Sequence, residues 1–415
     1  FSSRRRHTRL LTQSRGLGDV YKRQGMDSLD PEVFKACIQK AIKSILKAVA
    51  TRGPAVFCME DLHWGDPSSI ELLKDILASS QYPALFICTF RTSFNLVTGG
   101  RLNTSNRAHH AILLEDLTKA ESQKMLQSLL KTPSIPKGLE MLIREKIEGN
   151  PFYLEEILNS LLESELLIKS NGNWKLLRPI HKADIPLTIH GVISARTDRL
   201  DEGAKQVLQY ASVIGRSFDL SILSNIIQSE KDLNGHLDNL VRLGLIRANT
   251  SLPDGHYDFR HALTQEVVYN SLLKKERQEI HERTGYIIEK LFPQHLSEKS
   301  EILAFHFTQG KSLLKAVEYL MQSGTKSLNR YAVVESHQYY KEAYQLLTGG
   351  AFEPDAVKGK LIQLLNSWTP VFYFRGNFRD LEKLLTQYIT LADSLEDKEQ
   401  CGMFYVCLGI SFWAA

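Results

Sequence analysis

The residues of this chain best placed to do chemistry are two adjacent carboxylates, Glu60 and Asp61, which close the apolar run Pro54-Ala55-Val56-Phe57-Cys58-Met59. A short apolar run bounded by Gly53-Pro54 and by two acids reads as a buried parallel strand. Such a strand delivers both acids to its C-terminal edge. There one carboxylate can hold Mg2+, chiefly through water, and the other can polarise an attacking water; the plain alternative is a strand ending in two solvated acids. A second apolar run, Ala84 to Phe90, is followed by Arg91, a cation able to neutralise anionic oxygens or simply a solvated strand-end arginine. In Glu148-Gly149-Asn150-Pro151-Phe152-Tyr153-Leu154-Glu155-Glu156, Gly and Asn form a turn and Pro starts a helix. His261, within Phe259-Arg260-His261-Ala262-Leu263-Thr264-Gln265-Glu266, can donate a hydrogen bond and needs a partner when buried, which backbone could also supply.

The elements that must position these residues follow from periodicity. From Asp30 to Thr51, Phe34, Cys37, Ile38, Ala41, Ile42, Ile45 and Leu46 fall on one stripe, which predicts an amphipathic helix with Asp30 and Pro31 at its start. A helix over 68–79 separates the two strands. Helix, strand, helix, strand with short links is the alternation of a doubly wound α/β sheet, and the sequence holds its second half. Residues 118–168 read as helices, forming a small helical lid around Gly149-Asn150-Pro151. Residues 187–273 give three helical patterns and then two short strands around Pro253-Asp254-Gly255, which suggests a winged-helix unit. From Lys274 onward the chain reads as antiparallel helix pairs, with small residues and aromatics at helical spacing: Ala316, Tyr319 and Gly324, then Ala332, Tyr339, Tyr340 and Ala343. A strict repeat of about 34 residues cannot be counted, but an α-solenoid of tetratricopeptide type is the expected architecture.

Composition narrows the partners. The formal charge of +4 originates in residues 1–24, which carry seven Lys/Arg and one acid; the remainder holds 44 basic and 46 acidic residues. The body of the chain therefore offers no electrostatic case for nucleic acid. The segment 1–24 lacks apolar periodicity and the apolar core of a signal peptide, and it is expected to be a non-native, adaptor-derived stretch. Five cysteines include no C-x-x-C pair, so buried, reduced thiols are expected. No run approaches the roughly 18 apolar residues of a membrane span, which points to a cytoplasmic protein. The chain ends inside an apolar helical pattern at Ser411-Phe412-Trp413-Ala414-Ala415, an end expected of a fragment.

Taken whole, Glu60-Asp61-Leu62-His63-Trp64-Gly65-Asp66-Pro67 closely resembles the E-D-L-H-W-x-D-P Walker B motif of the STAND class of signalling P-loop ATPases. That resemblance implies ATP/ADP and Mg2+ as cofactors, with Glu60 serving the metal and Asp61 the metal or the attacking water. Arg91 then resembles sensor 1, which feels the γ-phosphate. The Gly149 to Glu156 stretch resembles the G-N-P-F-x-x-E-E element of the helical lid, placing Asn150 and Pro151 close to the nucleotide. Ile193-Ser194-Ala195-Arg196-Thr197-Asp198-Arg199-Leu200 is similar to the I-x-x-R-x-D-R-L that opens the family's winged-helix region. Its ions can also form a surface network of little worth, a reading that suits Arg199 and leaves Arg196 open. Residues 259–269 resemble the segment closing that region, whose histidine, here His261, would meet the ADP β-phosphate.

The resemblance divides the chain into the C-terminal half of a P-loop ATPase α/β core (25–117), a helical lid (118–186), a winged-helix region (187–273) and truncated tetratricopeptide-like repeats (274–415). It implies a nucleotide-dependent signalling switch whose repeats bind a protein partner or ligand and which can self-associate with nucleotide. The stretch from Tyr269 to Glu282 looks most like proteins linked to a class III adenylate/guanylate cyclase; LuxR-type transcriptional regulators and kinase-linked ATPases are the alternatives, and a non-catalytic helical scaffold is the alternative of another class. One departure stands against the match. The sequence contains no G-x-x-x-x-G-K-[ST], so the phosphate-cradling loop is missing and this chain should bind nucleotide poorly.

Overall fold

A computed structural model describes residues 31–79, 83–94, 96, 110–146, 149–170, 173–179, 186, 188–227, 232–250 and 255–415. In chain order the elements are α1 (Pro31–Thr51), β1 (Ala55–Met59), α2 (Pro67–Ser79), β2 (Ala84–Cys88), α3 (Lys119–Leu130), α4 (Lys137–Lys146), α5 (Pro151–Glu163), β3 (Leu167–Ser170) and β4 (Asn173–Leu176). There follow α6 (Ile189–Thr197), α7 (Glu202–Ile214), β5 (Ser217–Asp219), α8 (Leu220–Ile227), α9 (Leu233–Arg242), β6 (Ile246–Ala248), β7 (His256–Phe259), α10 (Ala262–Ser271) and α11 (Lys274–Leu291). The rest is helical: α12 (Ser300–Gln309), α13 (Leu313–Leu328), α14 (Val333–Thr348), α15 (Pro354–Arg375), α16 (Phe378–Thr386), α17 (Ile389–Asp393) and α18 (Lys398–Ala414). The described residues are thus mostly helical, with a few small sheets. The segment 1–24 and the turn residues Pro253 and Asp254 lie outside them.

The chain forms two compact units, one of residues 1–110, 292–308 and 312–415, the other of 111–291 with 309–311. In the first, β1 and β2 pair in parallel, Ala55 opposite Ala84 and Met59 opposite Cys88. Alternation turns Phe57 and Phe86 toward Leu46 of α1 and Ile76 of α2, which close a small core. The other face is open: Val56 is 61%, Leu85 57% and Ile87 42% exposed. The expectation of strands buried on both faces is corrected here, because helices cover a single face among the described residues. The cysteine expectation falls with it. Cys58, on the open face, is exposed, and Cys407 alone of the five is buried.

In the same unit α13 and α14 pack as an antiparallel pair. Ser336, near the start of α14, donates its hydroxyl to the carbonyl of Gly324, near the end of α13, at 2.7 Å, and Tyr340 and Thr325 share a hydroxyl bond of 2.8 Å. No helix among the described residues is long and apolar enough to cross a membrane.

The second unit holds two large cores and a small one of Val213, Leu272 and Ile280. Leu126, Leu139, Leu154, Ile157 and Leu161 join α3 to α5, and the hairpin β3–β4, Leu167 opposite Leu176, closes onto them. Trp174 fixes the hairpin by donating its indole N–H to the carbonyl of Leu130 at 2.9 Å. This hairpin is an addition to the all-helical reading of 118–168. Leu208, Leu223, Leu240 and Phe259 centre the other large core, where β5, β7 and β6 form an antiparallel sheet in that order. Four helices precede β6 rather than the three expected. Two of them, α6 and α8, span nine and eight residues, too short for periodicity to separate from their neighbours.

Candidate functional site

At the C-terminal edge of β1 and β2 the two chains are tied together around Thr89. Its N–H donates to the carbonyl of Met59 (2.9 Å), its carbonyl accepts from the N–H of Leu62 (3.0 Å), and its hydroxyl accepts from the N–H of Asp61 (3.1 Å). Asp61 takes the left-handed conformation, φ 57° and ψ 39°, and opens a 3-10 turn over Leu62–Trp64. That conformation costs a non-glycine residue about 1 kcal/mol, and Asp is among the residues that tolerate it. Nothing in its type or spacing singles out Thr89, yet it sets where Asp61 sits.

Glu60 and Arg91 are exposed and Asp61 is half-buried, so all three ends of this edge remain accessible. Among the described residues no group of three or more His, Cys, Asp or Glu is assembled to hold a metal ion. Two carboxylates fit a Mg2+ that keeps several waters and takes further oxygens from a phosphate; the residues to cradle that phosphate are not in this sequence.

The loop after Asp61 is drawn into its own unit. Asp66 accepts from the N–H of Ser69 at 2.8 Å, and the N–H of Ser68, in the first turn of α2, donates to Glu335 of α14 at 2.8 Å. The second oxygen of Glu335 and both ring nitrogens of His63 are buried without hydrogen-bond partners. Trp64 is 77% exposed.

Asn150, Pro151 and His261 belong to the other unit. Asn150 caps α5, its side-chain oxygen accepting from the N–H groups of Phe152 (2.9 Å) and Tyr153 (3.1 Å), with Pro151 in the first turn. Plain capping is therefore realised at this motif. Gly149 is needed just before it: at φ 89° an added Cβ would lie 2.3 Å from the carbonyl oxygen of Leu117. Glu148 lies outside the described residues. His261 stands at the start of α10 with its ring 4.1 Å, centroid to centroid, from that of Phe152. Arg260 pairs with Glu155 at 2.9 Å. Burial pushes the His261 pKa down, against the pull of Glu155, and its Nε2 is buried without a hydrogen-bond partner.

Beneath this contact lies Arg196, whose side chain is 1% exposed. It donates to Glu156 at 2.6 Å, to Glu163 at 3.0 Å through Nε, and to the carbonyl of Leu243 at 2.9 Å. Burial pushes Glu156 up despite that guanidinium. For Arg196 burial, the largest influence, works the other way, and the hydrogen bonds and charges of Glu163 and Glu156 together outweigh it and raise its pKa. The surface-network reading holds for Asp198, which pairs with Lys205; Arg199 instead donates to the carbonyl and hydroxyl of Ser160 at 3.1 and 3.0 Å, and Arg196, left open by the sequence, is the buried member. The signal was available: Arg196 stands four residues after Val192 on the buried face of α6, where a cation demands carboxylates.

Comparison with known proteins finds no matching family model. An uncharacterized protein of Rhizobium meliloti (strain 1021) is 25% identical over 349 residues, 82% of this chain and 33% of its own length. The peroxide stress-activated histidine kinase mak3 of Schizosaccharomyces pombe is 20% identical over 260 residues, 60% of this chain and 11% of its own. The chain thus spans a third or less of these relatives. Among solved structures, the Signal Transduction ATPase with Numerous Domains (STAND) protein with a tetratricopeptide repeat sensor from Pyrococcus horikoshii aligns over 91% of this chain and 61% of its own, at TM-score 0.40 and 14% identity.

Proposed function

We propose that this chain is part of a nucleotide-dependent signalling switch, in which Glu60, Asp61 and Arg91 serve ATP·Mg2+ and Asn150, Pro151 and His261 are further nucleotide-contacting residues. The observation that carries the reading is the edge of β1 and β2. Ligands of open α/β sheets bind at the C-terminal ends of parallel strands, and Thr89 holds Asp61 there by its amide at 3.1 Å. Glu60 would hold Mg2+ through water and Asp61 would orient the attacking water. The winged-helix unit, with His261, would sense the β-phosphate, and the tetratricopeptide-like repeats would take a protein partner or ligand. The phosphate-cradling loop and the effector, a class III nucleotide cyclase, would belong to the full-length protein, in the cytoplasm. A second reading, a kinase-linked switch, is favoured by the match to a histidine kinase.

The test is Asp61→Asn in the full-length protein. Asn tolerates the left-handed conformation as Asp does, so the fold should be kept while turnover slows and ATP stays bound. Hydrolysis and nucleotide occupancy equal to those of the unaltered protein would sink the proposal in favour of a non-catalytic scaffold.

A further inference from the structure

We propose that Arg196 is a positioning residue, a buried fastener that sets His261 against the start of α5. Its contacts close a ring through three stretches distant in sequence. On one side Arg196 grips α5 through Glu156 and Glu163. One helical turn back from Glu156 on α5 lies Phe152, against which the His261 ring packs, and beside it Glu155 holds Arg260. On the other side Arg196 grips the carbonyl of Leu243 at 2.9 Å, and two residues on the carbonyl of Leu245 accepts from the N–H of Arg260 at 3.1 Å. Gly244 makes the turn between them at φ 70°, with the Arg260 guanidinium 3.0 Å from where a Cβ would stand.

The ring can shift in one way only. If α5 moves relative to residues 243–245 and 259–261, Arg196 must give up a carboxylate or the Leu243 carbonyl, and a buried charge is left unpaired. Arginine suits this position because its planar fork presents donors in several directions at once, whereas a lysine ammonium would satisfy one side and leave the others. Contacts with a single well-formed arrangement behave as an on-or-off element rather than a spring. The placement of His261 matters to function only under the switch reading, on which this inference rests for its consequence but not for its geometry.

The experiment uses the present chain with 13C-labelled histidine, following the His261 ring-proton shift and pKa by NMR, with Phe152→Leu marking the shift expected when the ring contact is lost. In Arg196→Met the His261 ring-proton shift of the neutral imidazole should move toward its position in Phe152→Leu; the pKa rises on loss of the nearby guanidinium charge whether or not the ring moves, so the shift decides. Arg196→Lys should fall between, while Lys205→Met, which removes a cation paired with the exposed Asp198, should leave the shift unchanged. A folded Arg196→Met with the original His261 ring-proton shift overturns the proposal. Should that variant fail to fold, Glu163→Gln carries the test: it keeps the side chain's size and removes the charge facing Nε, and an unmoved His261 in it is equally fatal. The switch reading fails separately: if His261 in the full-length protein ignores added Mg2+·ADP while Arg196→Met displaces it, the fastener stands and the nucleotide role falls.

Discussion

Replacing Gly324 and Gly359 by alanine, one at a time, isolates the packing of the helical repeats. Both glycines lie inside helices, α13 and α15, where alanine gains about 0.8–1.0 kcal/mol in helix propensity. At Gly359 an added Cβ meets nothing within 4 Å, so Gly359→Ala should keep that gain. At Gly324 the Cβ would stand 2.8 to 3.0 Å from three ring atoms of Tyr340. Tyr340 cannot step aside: it is 1% exposed, its hydroxyl is bonded to Thr325 at 2.8 Å, and its ring lies against Trp368. Overpacking of this kind costs about 1–3 kcal/mol. The propensity term is common to both variants and cancels, so their difference is the overpacking cost alone. At about 2–4 °C per kcal/mol for a unit of this size, thermal unfolding should place Gly359→Ala roughly 2–12 °C above Gly324→Ala. Adding Tyr340→Leu to Gly324→Ala should recover part of the clash. Equal melting of the two single variants would refute the described α13–α14 contact.

Two further outcomes follow from single contacts. Glu335→Ala removes the carboxylate that holds the Ser68 N–H; a charge-assisted bond of about 1.5–3 kcal/mol corresponds to amide exchange in residues 62–69 faster by up to roughly 10- to 150-fold, and unchanged exchange there would show that α14 does not restrain the loop. His281, 1% exposed and bonded to Tyr269 at 3.0 Å, has its pKa lowered to about 4 by burial and then by Arg277. The unfolded chain therefore takes up the proton first as pH falls below about 6.5, and stability drops down to about pH 4 by up to roughly 3 kcal/mol. Denaturant unfolding at pH 7 and pH 4.5 should show a smaller loss in His281→Gln than in the unaltered chain, His337, likewise lowered to about 4, contributing to both; an identical loss in both places it elsewhere.

How much of this was legible in the sequence depends on the range of the interaction. The parallel β1–β2 pair, α1 and α2 were readable because each carries its own period and punctuation, and the α13–α14 contact was foreshadowed by Gly324 and Tyr340 at helical spacing. The hairpin β3–β4 was passed over, although Asn171-Gly172 between two apolar runs is a strong local hairpin signal. The open face of β1 and β2 was not readable at all. Val56, Leu85 and Ile87 are as apolar as their buried neighbours, and whether a strand is covered on one face or two is decided by elements far along the chain. The same holds at the candidate site: the motif points to Asp61, but the residue that places its amide is Thr89, which directly follows β2 and has nothing unusual about its type or spacing.

Asn150 shows why a structural role and a binding role need not compete. Its side-chain oxygen is committed, accepting from Phe152 and Tyr153 at 2.9 and 3.1 Å, and losing such a cap costs about 1 kcal/mol. Its amide NH2 is a separate pair of donors on an exposed residue. A nucleotide could therefore engage Asn150 through an acceptor atom without disturbing α5, whereas a contact requiring Asn150 as acceptor would have to dismantle the helix start. Asn150→Asp separates the two roles cleanly. It preserves the cap, since Asp caps as well as Asn, and the carboxylate beside the helix N-terminus favours α5 further, but it removes both donors. Equal or slightly higher stability with weakened nucleotide binding in the full-length protein is the expected pair of results; unchanged binding would reduce Asn150 to a cap.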